Sequence, residues 1–334
     1  MSATALGLSP VTSRPDAAPI DVERELEVHR KELTGYCYRM LGSGFEAEDA
    51  VQETLVRAWK NADRFEGRSS VRSWLYRIAT NVCLDMLRGP QRRARPMDFG
   101  GPIHAGDDLG PLVPETEWVQ PMADDRILPS DGDPAEMAAA RESVRLAFVA
   151  ALHHLPPKQR AVLILREVLK WQAAEVAELL DTSVQSVNSA LQRARATLAD
   201  IDMDGAHPLQ LDDSQHELVT KYAVAFESYD IASLVKLLHD DAKFTMPPFR
   251  VWFQGIDDIA EFYVGQGAAC EGSRLVPVAV NGCFGFGSYK PVAEGWEPWA
   301  IQVIEVSGGR ISGLHHFLYP ELFPAFGLPA RLER

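Results

Sequence analysis

The sequence predicts a multidomain protein in which two all-α helical domains are followed by an α+β domain. Three observations carry that prediction. Apolar residues recur at helical spacing through residues 21–95 and again through 138–203. A stretch rich in Pro and Gly, 96–137, separates the two. Beyond residue 215, helical runs give way to short β-rich runs punctuated by turn residues. The predicted division is a tail over 1–20, a helical domain over 21–95 and an acidic linker over 96–137. A second helical domain over 138–203, a hinge over 204–214 and the α+β domain over 215–334 complete it. A chain of 334 residues has room for such a plan.

Composition narrows the class of function. Hydrophobic residues make up 46% of the chain, ordinary for a soluble globular protein. No run of about eighteen apolar residues exists to span a membrane. The N-terminal MSATALGLSPVTSRPDAAP lacks a basic start and an apolar core, so a mobile tail is expected there and a signal peptide is not. Cys37, Cys83, Cys270 and Cys283 show neither CxxC pairing nor zinc-finger spacing. The expectation is a reduced cytoplasmic protein with buried thiols, no metal and no cofactor. The formal charge of −14 opposes long-range attraction to nucleic-acid phosphates. Either the chain does not bind DNA, or its basic patches work only once a partner presents them.

The first helix is predicted from Asp21 to Leu41, with Leu26, Leu33, Tyr36 and Met40 at near-helical spacing and Gly42-Ser43-Gly44 ending it. From Glu46 to Lys60, Ala47, Val51, Leu55, Ala58 and Trp59 define a buried face. Asp49, Gln52, Glu53 and Arg57 lie opposite, and on pattern alone they are a solvated stripe. The loop Phe65–Ser70 leads into a third helix, Val71–Arg88. Residues 64–95 hold eight Arg and no Lys against only Glu66 and Asp85. Phe65, Trp74 and Tyr76 are interleaved with them, and basic groups beside stackable rings suit unpaired nucleic acid. Gly67 lets the loop turn closely around a nucleotide. Arg68, Arg72 and Arg77 can hold phosphates, and Asn81 offers the donor and acceptor that read a base edge. With Ser69 these form the candidate strand-contacting set. Trp74 reads better as core than as a stacking platform, and Tyr76 fits either role.

The linker over 96–137 carries ten acids and the single basic residue Arg126. On composition alone it reads as a solvated tether. Trp118 is expected to be an exposed aromatic that anchors to another domain. Helices return at about Ala135. Ser143–His154 places Val144, Ala147, Phe148, Ala151 and Leu152 on one face, and Leu155–Arg160 breaks and restarts the helix. Trp171–Leu198 reads as a helix-turn-helix, with Asp181-Thr182-Ser183 as the turn and Ser183 as the N-cap. Val184, Val187, Leu191, Ala194 and Leu198 are expected to be buried. The opposite face, Gln185, Ser186, Asn188, Ser189, Gln192 and Arg193, with Arg195 nearby, carries base-edge and phosphate-contacting types where a recognition helix enters the major groove.

In the last domain, Gln215–His239 is predicted helical, Ala242–Met246 and Phe249–Phe253 extended, and Ile256–Gly265 helical. Arg274–Val280, Cys283–Lys290, Trp299–Val306 and Arg310–Leu318 are predicted strands, with Gly308-Gly309 as a hairpin turn. A curved antiparallel sheet is expected. Trp252, Trp299, His315 and His316, with His239, Asp240, Asp241, Asp257 and Trp296, are this domain's candidates for a pocket, which the cone-fold resemblance given below implies. His315 and His316 are adjacent on a strand, so at most one faces a pocket.

Several of these segments resemble a known family. Ala47-Glu48-Asp49, Val51-Gln52-Glu53, Phe65-Glu66-Gly67-Arg68, Ser73-Trp74-Leu75 and Ile78-Ala79-Thr80-Asn81 resemble, in order and spacing, the promoter-melting region 2 of sigma-70 family factors of the extracytoplasmic-function (ECF) group. Trp171–Leu198 is similar to the family's region 4 helix-turn-helix, although Asp181 stands where Gly is frequent and no basic residue stands at Asn188 or Ala190. The stretches DDAKFTMPPF, WFQG and ISGLHHFLYP resemble the SnoaL-like cone fold. The resemblance implies an alternative sigma factor, not an enzyme, with a fused regulatory domain. Asp49, Gln52, Glu53 and Arg57 would meet the polymerase β′ clamp helices, and region 4 the β flap. Arg68, Ser69, Arg72, Arg77 and Asn81 would contact the −10 element, and the Gln185–Arg195 set the −35 element. The linker would thread a polymerase channel, the cone would take a small-molecule ligand or act purely as a regulator, and no membrane is implied. The competing reading is a SnoaL-type isomerase, cyclase or ligand sensor with helical DNA-binding appendages.

Overall fold

The structure, a computed structural model, describes residues 22–65, 67, 69–89, 93–199, 201 and 213–334. The first unit is a bundle of α1 (Val22–Leu41), α2 (Gly44–Lys60) and α3 (Val71–Met86). Gly42 adopts φ +70° between α1 and α2, and a Cβ there would come within 2.6 Å of His153 Nε2, so only glycine fits. Ser43 Oγ accepts from Glu46 N at 3.2 Å and Ser70 Oγ from Ser73 N at 3.1 Å, which caps α2 and α3. Leu33, Tyr36, Met40, Ala47, Val51, Ala58, Leu75 and Ala79 fill the core. Tyr76 joins them, packed 5.3 Å from Tyr36 and 5.0 Å from Trp171. Trp59 corrects the expectation of a buried residue, since it is 67% exposed.

The acidic linker is docked rather than free. Ala94 and Trp118 form a parallel bridge, and Ile103 N and Val113 N donate to the Trp252 and Pro248 carbonyls at 2.9 Å each. The segment then forms α4 (Asp124–Ile127) and α5 (Pro134–Glu142). Trp118 is buried, contrary to expectation, with its ring 5.7 Å from both Phe317 and Tyr319. The apolar surface of the last domain desolvates the indole, so the anchoring expectation holds and the exposure does not.

The second helical unit comprises α6 (Leu146–Leu152), α7 (Pro157–Leu163) running into a π turn at Ile164–Val168, α8 (Ala173–Leu179) and α9 (Val184–Ala199). Asp181 takes the left-handed conformation at φ +50°, and Ser183 Oγ accepts from Ser186 N at 3.1 Å. Val187, Leu191 and Ala194 are buried, whereas Val184, expected inside, is 44% exposed because the cap turns the first residue of α9 outward.

The last unit begins with α10 (Asp213–Glu227) and α11 (Ile231–Val235), separated by Tyr229 at φ +55°. Then come β1 (Leu238–Thr245), β2 (Trp252–Gln254), α12 (Ile256–Val264), β3 (Arg274–Val280), β4 (Cys283–Val292), β5 (Gly295–Ser307) and β6 (Arg310–Phe317). His239 therefore belongs to a strand, not to the predicted helix. Strand order is β2-β1-β6-β5-β4-β3. The β1–β6 pair is parallel and the others antiparallel, so the sheet is mixed rather than wholly antiparallel. Its inner face packs on α10 and α12 through Phe226, Phe244, Phe253, Phe262 and Tyr263.

All three units meet at the β3–β4 turn. Asn281 is fully buried there at φ +52°. Its Nδ2 donates to Tyr38 Oη in α1 and to the Val144 carbonyl before α6, each at 2.6 Å. Its Oδ1 accepts from Met122 N of the linker at 2.8 Å, and its own N–H donates to the Met122 carbonyl at 3.1 Å. A Cβ on the next residue, Gly282, would lie 2.8 Å from the Arg141 carbonyl, which is why the turn can insert so deeply. Gly282 N donates to Asp124 Oδ1 at 2.8 Å. Burial raises the Asp124 carboxyl to about 6 against that hydrogen bond.

Candidate polymerase and nucleic-acid interface

Helix α2 presents an acidic and amide face. Asp49, Gln52 and Glu53 are exposed, and Val56 at 40% and Trp59 at 67% exposure continue the same surface. Arg57 is half-buried, bound to Glu53 at 2.7 Å and Asp85 at 3.1 Å. Sequence reasoning missed Val56 and Trp59. Their signal was spacing: 52, 56 and 59 follow one another by four and three residues, on the polar side.

The candidate −10 residues are not all free. Arg68 lies outside the described residues, Ser69 is half-buried in the loop, and Asn81 is exposed. Arg72 holds Glu32 through Nε at 3.0 Å and Nη2 at 2.9 Å, with its guanidinium 5.2 Å from the Tyr76 ring and 5.3 Å from that of Trp171. Arg77 Nη2 donates to the Glu178 carbonyl in α8 at 2.8 Å. The arginines of 64–95 with described side chains all have a carboxylate within reach: Arg72–Glu32 at 2.9 Å, Arg77–Glu178 at 3.8 Å, Arg88–Asp85 at 2.7 Å, Arg93–Glu46 at 2.7 Å and Arg95–Asp98 at 3.7 Å. The basic run is neutralised internally, partly by the helix-turn-helix unit. Of the rings, Tyr76 is core, and Trp74 is half-buried 5.1 Å from Phe65.

On α9, Gln185, Ser186, Asn188, Gln192, Arg193 and Arg195 are exposed and Ser189 is half-buried. Arg195 is tied to Glu167 at 2.5 Å. One side of a helix with a capped, open N-terminus therefore carries the amide and hydroxyl groups.

The structure does not gather the four candidate pocket residues. His316 points to the inner face, 3.3 Å from Tyr222 Oη and 4.9 Å from the Phe244 ring. Burial, with His315 adding to it, drives its pKa down to about 3. His315 points outward, its Nδ1 2.9 Å from Thr245 Oγ1 and its Nε2 3.5 Å from Glu305. Burial opposes the Glu305 carboxylate, yet the hydrogen bond from His315 and the charge of Arg145 hold it down at about 2. The cavity beside them, walled by Arg95, Val119 and Leu146, measures ≈ 20 Å³, space for about one water. Trp252 donates to the Gly100 carbonyl at 2.8 Å under the linker, and Trp299 lies beneath Lys290 at 4.4 Å.

An acidic α2 face, an arginine-rich stretch over 64–95 and a helix-turn-helix on a second domain are the arrangement of a promoter-reading initiation factor of the sigma-70 class. The Sigma-70 region 2 model matches residues 26–93 and the Sigma-70, region 4 model matches residues 145–198. The ECF RNA polymerase sigma factor SigG of Mycobacterium tuberculosis is 43% identical over 318 residues, covering 93% of this chain and 85% of that protein. SigJ of the same organism is 28% identical over 322 residues, covering 92% and 95%. The crystal structure of SigJ aligns at a TM-score of 0.60 and 24% identity, covering 92% of this chain and all of that one. The chain belongs to the ECF RNA polymerase sigma factors. It is an alternative sigma factor that joins core RNA polymerase at promoter DNA to initiate transcription, and a mixed α+β sheet domain follows its two sigma regions. This family is not one of enzymes, so the isomerase reading gives way. Among the described residues no helix is long and apolar enough to cross a membrane.

Proposed function

We propose that the closed arrangement is a resting form and that the SnoaL-like domain sets whether regions 2 and 4 can open onto polymerase. The observation that carries this reading is the double engagement of α3. Arg72 and Arg77 reach Glu32 and Glu178 instead of presenting free charge to a DNA strand. Asn281 pins α1, the linker and the start of region 4 to the cone. An intramolecular lid of this kind replaces a separate inhibitor.

Within that reading the residues divide as follows, along the domain boundaries set out from the sequence. Asp49, Gln52, Glu53 and Arg57, joined by Val56 and Trp59, meet the β′ clamp helices, and region 4 meets the β flap. Arg68, Ser69, Arg72, Arg77 and Asn81 hold the −10 strand. Flipping a base costs a few kcal/mol, and a stacked base returns roughly 1–3 kcal/mol, so capture of one or two bases tips local melting. Gln185, Ser186, Asn188, Ser189, Gln192, Arg193 and Arg195 read the −35 element. The protein works in the cytoplasm. Run-off transcription with core polymerase tests the regulatory part. A chain ending at Gly205 should give several-fold more promoter-dependent RNA than the full chain, and equal or smaller amounts would remove the idea.

A further inference from the structure

Between the region 2 bundle and region 4 lies a cleft of ≈ 1070 Å³, as large as small-molecule sites become. One wall is α1, with Val28, Lys31 and Arg39; the other is α5, α6 and the π turn, with Ala139, Phe148 and Lys170. Val28 stands open at the rim, 69% exposed.

The charge balance of the lining is uneven. Glu32 is held by Arg72, Glu142 by Arg145 and Glu167 by Arg195. That leaves Arg39, Lys31 and Lys170 against Glu136. Arg39 is the telling member, 5% exposed, with Nε donating to the Ser143 carbonyl at 3.0 Å and Nη2 to Ser143 Oγ at 2.7 Å. It has no carboxylate partner among the described residues. Burial pulls its pKa down to about 10, and the phenols of Tyr76 and Tyr38 are the groups that oppose this. A buried guanidinium paired only with neutral oxygens is a standing site for an anion.

We propose that this cleft binds an amphipathic anion, a carboxylate or phosphate head at Arg39 with an apolar body along Phe148 and Ala139. Because its walls belong to both sigma regions, an occupant favours the arrangement in which they are together. It therefore lowers the share of the factor able to join polymerase. That last consequence rests on the closed resting form proposed above, and the binding itself does not.

Titration calorimetry of the full chain with octanoate, octyl phosphate, octanol and inorganic phosphate tests it. At least one charged amphiphile should bind one-to-one, and octanol and inorganic phosphate at least tenfold more weakly; the better of the two heads identifies the class. Ala139→Trp, from an exposed helix position, should abolish binding with an unchanged circular dichroism spectrum, and Lys170→Gln should weaken it several-fold. Absence of binding by both amphiphiles, equal binding of octanol, or indifference to Ala139→Trp overturns the site. Binding that leaves transcription unchanged keeps the site and overturns the coupling to the closed form.

Discussion

Asn281 of the cone lies 2.6 Å from Tyr38 Oη of α1, and both side chains are fully buried. One amide at a hairpin tip thus ties the C-terminal domain to the region 2 bundle. Replacing it by Ala leaves Tyr38 Oη, the Val144 carbonyl and Met122 N without that partner, and a buried polar group left unmatched costs about 1–3 kcal/mol. Asn281→Ala should loosen the closed form, raising core-polymerase affinity several-fold in a fluorescence titration while the cone itself stays folded.

Charge reversal on α2 is expected to act on assembly rather than folding. Asp49→Lys combined with Glu53→Lys alters exposed side chains, so helix content by circular dichroism should not change. Co-purification with core enzyme should be lost. Retention of the complex would show that this face does not meet polymerase.

The recognition helix makes a prediction about selectivity. Asn188→Ala should relax preference at one upstream base pair by about 1–3 kcal/mol, whereas Arg193→Ala should weaken all promoters alike and lower the salt slope by about one. Binding of holoenzyme to a randomised −35 library separates the two outcomes.

Acidification should destabilise the cone through His316. Its folded pKa, about 3, lies below the unfolded value of about 6.5, so the unfolded chain takes up the proton first and stability falls as pH drops below 6.5. The slope approaches about 1.4 kcal/mol per pH unit. Glu305, depressed to about 2, contributes stability above its unfolded value of about 4.3 and loses it as pH falls further toward 2. Asp124, raised to about 6, acts with the opposite sign below about pH 6, so the His316 slope should appear as the difference between the full chain and His316→Phe in denaturant melts from pH 7 to 5, where Tyr222 Oη keeps its bond to Gln302 at 3.0 Å.

Local order was legible in the sequence and tertiary placement was not. Asp181 and Ser183 announced the helix-turn-helix because turn conformation and capping depend on neighbouring residues alone. Arg274–Val280 was predicted as a strand at the bounds the structure shows. Trp59 and Trp118 each lie on the other side of the surface from the one the sequence predicts, because a tryptophan's burial depends on what lies opposite. For Trp118 that is Phe317 and Tyr319, some two hundred residues away in the chain. Adjacent histidines on one strand implied opposite faces, and the structure shows which is which. Asn281 had no sequence signal beyond an Asn-Gly turn, since its partners come from three distant segments.

On the closed resting form proposed above, regions 2 and 4 separate when the factor joins polymerase. Resonance energy transfer between dyes on cysteines at Asp63 and Ala199, both exposed, measures that separation directly. Transfer should be high in the free chain and fall when core polymerase is added. Unchanged transfer in a complex that produces promoter-dependent RNA would show that the closed arrangement is itself the working one.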